Sequence, residues 1–227
     1  MDVDQKFDDL NVSNKPNIRF DGFVKVCGMK YPPNMNEVAS LQPDFMGFVF
    51  YPKSPRFVNT LDPKSLKSLP AAIKKIGVFV NEDVDLILTT THKYQLDGVQ
   101  LHGSENVELC KQLKETNLIV IKAFSIEAAY NFKVTHHYED VCDFFLFDTK
   151  TQTHGGSGQQ FDWNLLNEYS GNKPFFLSGG ISAFDVQSVS VIKHPKFIGI
   201  DLNSKFEIEP GLKNTHLLQE FLINLKQ

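Results

Sequence analysis

The chain has 227 residues, enough for one large domain or two small ones. Its hydrophobic share of 41% can build a sizeable core, and its formal net charge of -4 gives no electrostatic attraction for nucleic acid or an anionic membrane. Cys27, Cys110 and Cys142 form neither a disulfide framework nor a zinc-type CxxC pair, which points to a reduced, cytoplasmic setting. No apolar run reaches the roughly 18 residues of a membrane span.

Residues 1–21 are polar and acidic and lack both a hydrophobic period and a signal-peptide core, so they read as a poorly ordered leader. From residue 22 to 227 short apolar runs alternate with amphipathic stretches. In chain order the strands are FVKVCG (Phe23–Gly28), FMGFVFY (Phe45–Tyr51), KIGVFV (Lys75–Val80), GVQLHG (Gly98–Gly103), IVIKAF (Ile119–Phe124), DFFLFD (Asp143–Asp148), PFFLSG (Pro174–Gly179) and FIGIDL (Phe197–Leu202). Their near-continuous apolar character suits strands buried on both faces. Between them, Val107–Glu115 and the segment from Thr215 to the C-terminus show helical periodicity, and the stretches from Phe161 and from Asp185 onward also read as helices. Strand and helix repeated eight times predict an α/β fold with parallel strands, closed into a single (β/α)8 barrel. An open doubly wound sheet is the competing architecture.

In such a barrel the chemistry sits where strands end. The loops SGGIS, with Gly179 and Gly180, and DLNSKFE follow the seventh and eighth strands, where phosphate sites are frequent; THGGSG adds a further glycine cluster after the sixth. A lone Gly-Gly is more often a plain turn. Asp148 ends an apolar strand and so either acts as a general acid at the mouth or accepts loop N–H bonds. Cys27 is either a small apolar filler or a general base; a free thiol titrates near about 8.5 and would need help, and Lys25 shares its strand face. Arg56, in YPKSPRF, is either a carboxylate clamp or an exposed charge. His102 is either an acid–base group or a wall residue, and is not counted as a catalyst. No metal-ligand set or nucleotide-binding glycine motif stands out.

At this level of detail the chain resembles a known family. KVCGM, GFVFYPKSPRFV, GVFVN, DGVQLHG, KAF, FDTKTQTHGGSGQQFDW, SGGI and GIDLNSKFE followed by PGLKN are similar to the motifs of phosphoribosylanthranilate isomerases, in family order from about residue 23 to the C-terminus. The resemblance implies a single TIM barrel without metal or cofactor. It implies an Amadori rearrangement of N-(5-phosphoribosyl)anthranilate to 1-(2-carboxyphenylamino)-1-deoxyribulose 5-phosphate in tryptophan biosynthesis. By the same analogy Asp148 is the general acid, Cys27 the general base and Arg56 the partner of the anthranilate carboxylate. Gly156, Gly179, Gly180, Asn203 and Ser204 fall in the loops around the phosphate. A small phosphorylated substrate is the expected partner, with the protein a monomer or homodimer.

Two stretches depart from the family pattern. Asn203 and Lys205 stand where a serine and a glycine are expected, and Met29-Lys30 follows the CG pair. The alternatives are the histidine-pathway aminoaldose isomerase, for which an aspartate is expected at position 27, an epimerase with metal-binding histidines, and a non-catalytic phosphate-sugar binding barrel.

Overall fold

The computed structural model describes residues 20–150 and 160–227. Residues 1–19 of the expected leader, and Gly156, lie outside the described residues. Chain order runs β1 (Phe23–Val26), α1 (Pro32–Ser40), β2 (Phe45–Val49), α2 (Pro63–Lys67), β3 (Lys74–Phe79), α3 (Val84–Tyr94), β4 (Gly98–Leu101), α4 (Val107–Lys114) and β5 (Ile119–Ile126). After a 3-10 segment (Phe132–Val141) come β6 (Phe144–Thr149), a 3-10 turn (Trp163–Glu168), β7 (Phe175–Leu177), α5 (Val186–Ser190) and β8 (Phe197–Leu202). A 3-10 turn (Ser204–Phe206), a hairpin of β9 (Glu207–Glu209) and β10 (Leu212–Lys213), and α6 (Thr215–Lys226) complete the chain.

All eight expected strands are present. They pair in parallel in sequence order, and β1 pairs with β8 to close the barrel, which excludes the open sheet. Closure leaves no edge strand in the barrel and forces successive side chains alternately inward and outward. On β1, Val24 and Val26 pack outward against the helical layer, while Phe23 and Cys27 face the interior. On β6, Phe145 and Phe147 go outward and Phe144 and Leu146 inward.

The lower interior is sealed by Phe23, Phe45, Phe144 and Phe176, mostly in edge-to-face contacts with ring centroids 5.4–6.5 Å apart. Each fully buried ring contributes roughly 1.5–3 kcal/mol by leaving water. One turn higher the interior changes character. Lys25, Gln100 and Asp201 are all buried there. The barrel is therefore apolar at its base and charged toward the mouth.

One expected helix differs, and the one expected from Asp185 onward is present as α5. The segment from Phe161 makes only a 3-10 turn, because Tyr169 leaves the helical conformation to pack among Phe132, Phe147 and Phe175, with its hydroxyl donating to Lys173 O at 2.8 Å. After β7, α5 starts at Val186. The Asp185 carboxylate accepts from Ser182 N and Oγ and from Gln160 Nε2 at 2.7–2.8 Å, which keeps residues 181–185 as a turn. The β9–β10 hairpin, unforeseen in the sequence, places Glu207 and Lys213 beside the mouth.

Candidate active site

Cys27 follows β1 directly, and its backbone N–H donates to Leu202 O at 2.9 Å, so β8 fixes it at the mouth. Its side chain is nearly buried, packed with Val49, Val78 and the half-buried Tyr51. The thiol occupies the space beside Gly47. A side-chain carbon on that glycine would lie 2.6 Å from Cys27 Sγ, so only glycine leaves room for it. Burial pushes the thiol above its ordinary range, and Asp201 adds to this; Lys25 and Lys213 pull it back.

Asp148 continues the inward alternation of β6 and reaches the same mouth. Its Oδ1 accepts from Thr149 N at 2.9 Å, and its Oδ2 lies 3.1 Å from His102 Nε2. The Nδ1 of that imidazole is 2.7 Å from Gln100 Nε2. With Gln100 donating, the His102 proton sits on Nε2 and points at the carboxylate. Sequence reasoning left His102 uncounted. The usable signal was its period: Gln100 and His102 are two residues apart on one strand, so both face inward.

The loop after β7 closes over Asp148. Gly179 and Gly180 have φ of 91° and 70°, a left-handed turn that disfavours any side chain. A β-carbon on Gly179 would meet Thr149 Oγ1, and Asp148 Oδ1 at 2.8 Å. This glycine thus brings the loop after β7 against the candidate acid.

Arg56 is buried, which disposes of the exposed-charge reading. Its Nε donates to Glu207 Oε1 at 2.9 Å and its Nη2 to Oε2 at 2.5 Å, leaving Nη1 on the free edge of the guanidinium. Glu207 also accepts from Lys213 Nζ at 2.7 Å and Gly211 N at 3.0 Å. Burial pushes the Glu207 carboxyl upward, but its hydrogen bonds and the Arg56 and Lys213 charges win and hold it below the usual range. Lys213 goes the other way: burial outweighs Glu207 and lowers the ammonium below its ordinary value.

Asn203 precedes the 3-10 turn after β8. Its Oδ1 accepts from Lys213 Nζ at 2.8 Å and lies against Gly28, beside Arg56. Ser204 opens the turn and is partly exposed at the mouth. The structure thus brings Cys27, Arg56 and Asn203 together on one side, and Asp148, Gly179 and Gly180 on the other. Among the described residues, no group of three or more His, Cys, Asp or Glu could hold a metal ion.

A further buried pair supports the wall. Lys122 Nζ donates to Glu105 Oε2 at 3.0 Å and to the carbonyls of Leu101, Gly103 and Ala123, while Glu105 accepts from Asn81 N and Gly103 N. These bonds fix the loop that carries His102.

A closed (β/α)8 barrel with a thiol, a carboxyl–imidazole pair and a glycine-turn loop at one mouth has the layout of a barrel enzyme's acid–base site. Residues 24–224 match the family model described as N-(5'phosphoribosyl)anthranilate (PRA) isomerase. The chain is 44% identical over 201 residues to the N-(5'-phosphoribosyl)anthranilate isomerase of Parabacteroides distasonis, covering 88% of this chain and 91% of that one. The crystal structure of the Thermotoga maritima phosphoribosyl anthranilate isomerase is 33% identical and superposes with a TM-score of 0.79, covering 90% of this chain and 98% of that one. A second crystal structure, of a phosphoribosyl anthranilate isomerase in complex with reduced 1-(o-carboxyphenylamino)-1-deoxyribulose 5-phosphate, is 30% identical, has a TM-score of 0.75, and covers 90% and 98% of the two chains. The chain belongs to the N-(5'-phosphoribosyl)anthranilate isomerase family.

Proposed function

We propose that Cys27 and Asp148 are the base and acid of this barrel. The reaction is the aldose–ketose isomerisation of N-(5-phosphoribosyl)anthranilate in tryptophan biosynthesis. Asp148 donates a proton to the furanose ring oxygen, the C1–O bond breaks, and the anilino nitrogen lone pair forms the Schiff base. Cys27 takes the proton from C2, giving an enolamine. Protonation at C1, with loss of the C2 hydroxyl proton, then yields the 1-amino-1-deoxyketose. Every atom is conserved and no external oxidant or reductant is consumed.

The observation that carries this reading is the convergence of the two groups on one mouth from β1 and β6, which lie three strands apart around the closed barrel. That separation lets the two groups approach one sugar from different sides, at the ring oxygen and at C2, which flank C1. His102 holds the Asp148 carboxyl in place through its 3.1 Å contact. Arg56 takes the anthranilate carboxylate on its Nη1 edge, since Glu207 occupies the other. Gly179, Gly180, Ser204 and Asn203 surround the phosphate, where backbone N–H groups attract the anion; the family resemblance adds Gly156, which lies outside the described residues. We place the protein in the cytoplasm, a reducing compartment that suits its three free cysteines, and take it as a monomer or homodimer. Among the described residues no helix is long and apolar enough to cross a membrane.

Turnover of freshly made substrate, followed by loss of anthranilate fluorescence with a metal chelator present, tests the assignment. Activity should survive chelation and collapse in Cys27→Ser and Asp148→Ala, since a positioned acid or base contributes roughly 10²–10⁴-fold. Retained turnover in either variant removes that residue from its role.

A further inference from the structure

Lys25 is a fully buried cation, with a side chain that shows no exposure. It projects into the interior between the phenylalanine floor and Cys27, two residues along the same strand face. Its Nζ donates to Asp201 Oδ1 at 2.8 Å, and Asp201 is nearly buried too. Asp201 Oδ2 accepts in turn from Ser178 Oγ at 3.3 Å. A buried ion pair is weak evidence for stability, because taking two charges out of water costs as much as their attraction returns. Such a pair directly beneath a candidate nucleophilic group calls for another explanation.

We propose that Lys25 is a positioning residue for catalysis: its ammonium, held by Asp201, stabilises the Cys27 thiolate, and Asp201 limits how far. This deepens the assignment of Cys27 as the base. Three charged groups act on the thiol: Lys25 from its own strand, Asp201 from β8 and Lys213 from β10. Arg56 and Glu207 stand just above, across Gly28, and Tyr51 packs on the apolar side from the end of β2. The two cations favour the thiolate; Asp201 and burial oppose it.

The arrangement fits the chemistry. The proton on C2 beside a Schiff base is weakly acidic, so a base of elevated proton affinity suits it better than a fully ionised, weakly basic thiolate. The same base must still lose its proton to begin a cycle. A buried thiol with no cation would rarely do so. Lys25 itself keeps its charge: burial lowers its proton affinity, but Asp201 and Cys27 outweigh that and raise it above the ordinary value.

The two members of the pair should therefore shift Cys27 in opposite directions. In Lys25→Met the thiol loses its cation and its titration moves to higher pH. In Asp201→Asn the anion goes and the Cys27 thiolate takes over as the counter-charge of the buried ammonium, so the titration moves to lower pH. An opposite charge at such range is worth roughly 1–3 units. Lys213→Met should move the thiol in the same direction as Lys25→Met.

The test is the pH titration of the Cys27 β-carbon by NMR in protein carrying labelled cysteine, with Cys27→Ser assigning the signal. The ascending limb of kcat/KM against pH is measured alongside, and folding is checked by circular dichroism. Opposite displacements in Lys25→Met and Asp201→Asn support the proposal, and Lys25→Arg should restore the wild-type position. A Cys27 titration unmoved in the folded variants, or moved in one direction by both, overturns it. If Lys25→Met does not fold, Asp201→Asn and Lys213→Met pose the same question with opposite signs. Full turnover by Cys27→Ser would sink the base assignment, while the titrations would still report whether the ion pair governs the thiol.

Discussion

The two sides of the mouth are built differently. On the base side, Cys27 is 4% exposed and sits among the paired charges Lys25–Asp201 and Lys213–Glu207–Arg56. On the acid side, the Asp148 side chain is 14% exposed and meets the His102 imidazole at 3.1 Å and the Thr149 backbone N–H at 2.9 Å. A thiol must be coaxed into its charged form, and burial works against that, so cations stand near it. A carboxyl that has to donate a proton is better served by polar neighbours without a strong fixed cation, which would hold it ionised. The same barrel rim therefore supplies opposite environments to two groups with opposite tasks.

Removing the working groups breaks this comparison most severely. Cys27→Ser and Asp148→Ala should each lower kcat roughly 10²–10⁴-fold, with thermal unfolding little changed. Next comes the floor beneath both sides. Phe176→Ala should cost about 3–5 kcal/mol in urea unfolding, because the closed barrel cannot collapse into the space left behind. Its kcat should stay close to wild type, which separates the support from the site.

Glu207→Gln sharpens the picture of the base side. It leaves Arg56 and Lys213 without their buried anion, and unfolding experiments should report a loss of about 3–5 kcal/mol. The pH dependence carries a definite sign. Glu207 has a folded proton affinity below its ordinary value of 4.5, so its contribution is fully present above that value and fades as pH falls through the lower folded value. The wild type should therefore lose stability below about pH 4.5 more steeply than Glu207→Gln, as read from urea midpoints across the acid range. Equal slopes would mean that Glu207 is not held ionised by its partners.

The smallest effect is expected from His102→Gln. It removes the contact with Asp148 and replaces it with a shorter donor, so kcat should fall roughly tenfold, the worth of one charge-assisted hydrogen bond. KM should hold, because the substrate's phosphate and carboxylate contacts are elsewhere. A change in KM alone would make His102 a wall residue after all.

The sequence by itself determined the architecture. Eight apolar runs at regular spacing can be buried on both faces only in a parallel sheet covered by crossover segments, and all eight strands lie where that pattern puts them. It also marked Cys27, Asp148, Arg56 and the Gly179-Gly180 turn, since the end of a barrel strand is a position readable from the chain. The helix expected from Phe161 was misjudged because local periodicity does not reveal that Tyr169 is needed in an aromatic cluster, whereas the one from Asp185 was legible and is α5. The partnerships within the site were decided by tertiary structure alone. Lys25 meets Asp201 across 176 residues, and Arg56 meets Glu207 across 151. His102 reaches Asp148 across 46. The reason is closure: hydrogen bonding of β1 to β8 joins the two ends of the chain, and only then do charges far apart in sequence share one low-dielectric space.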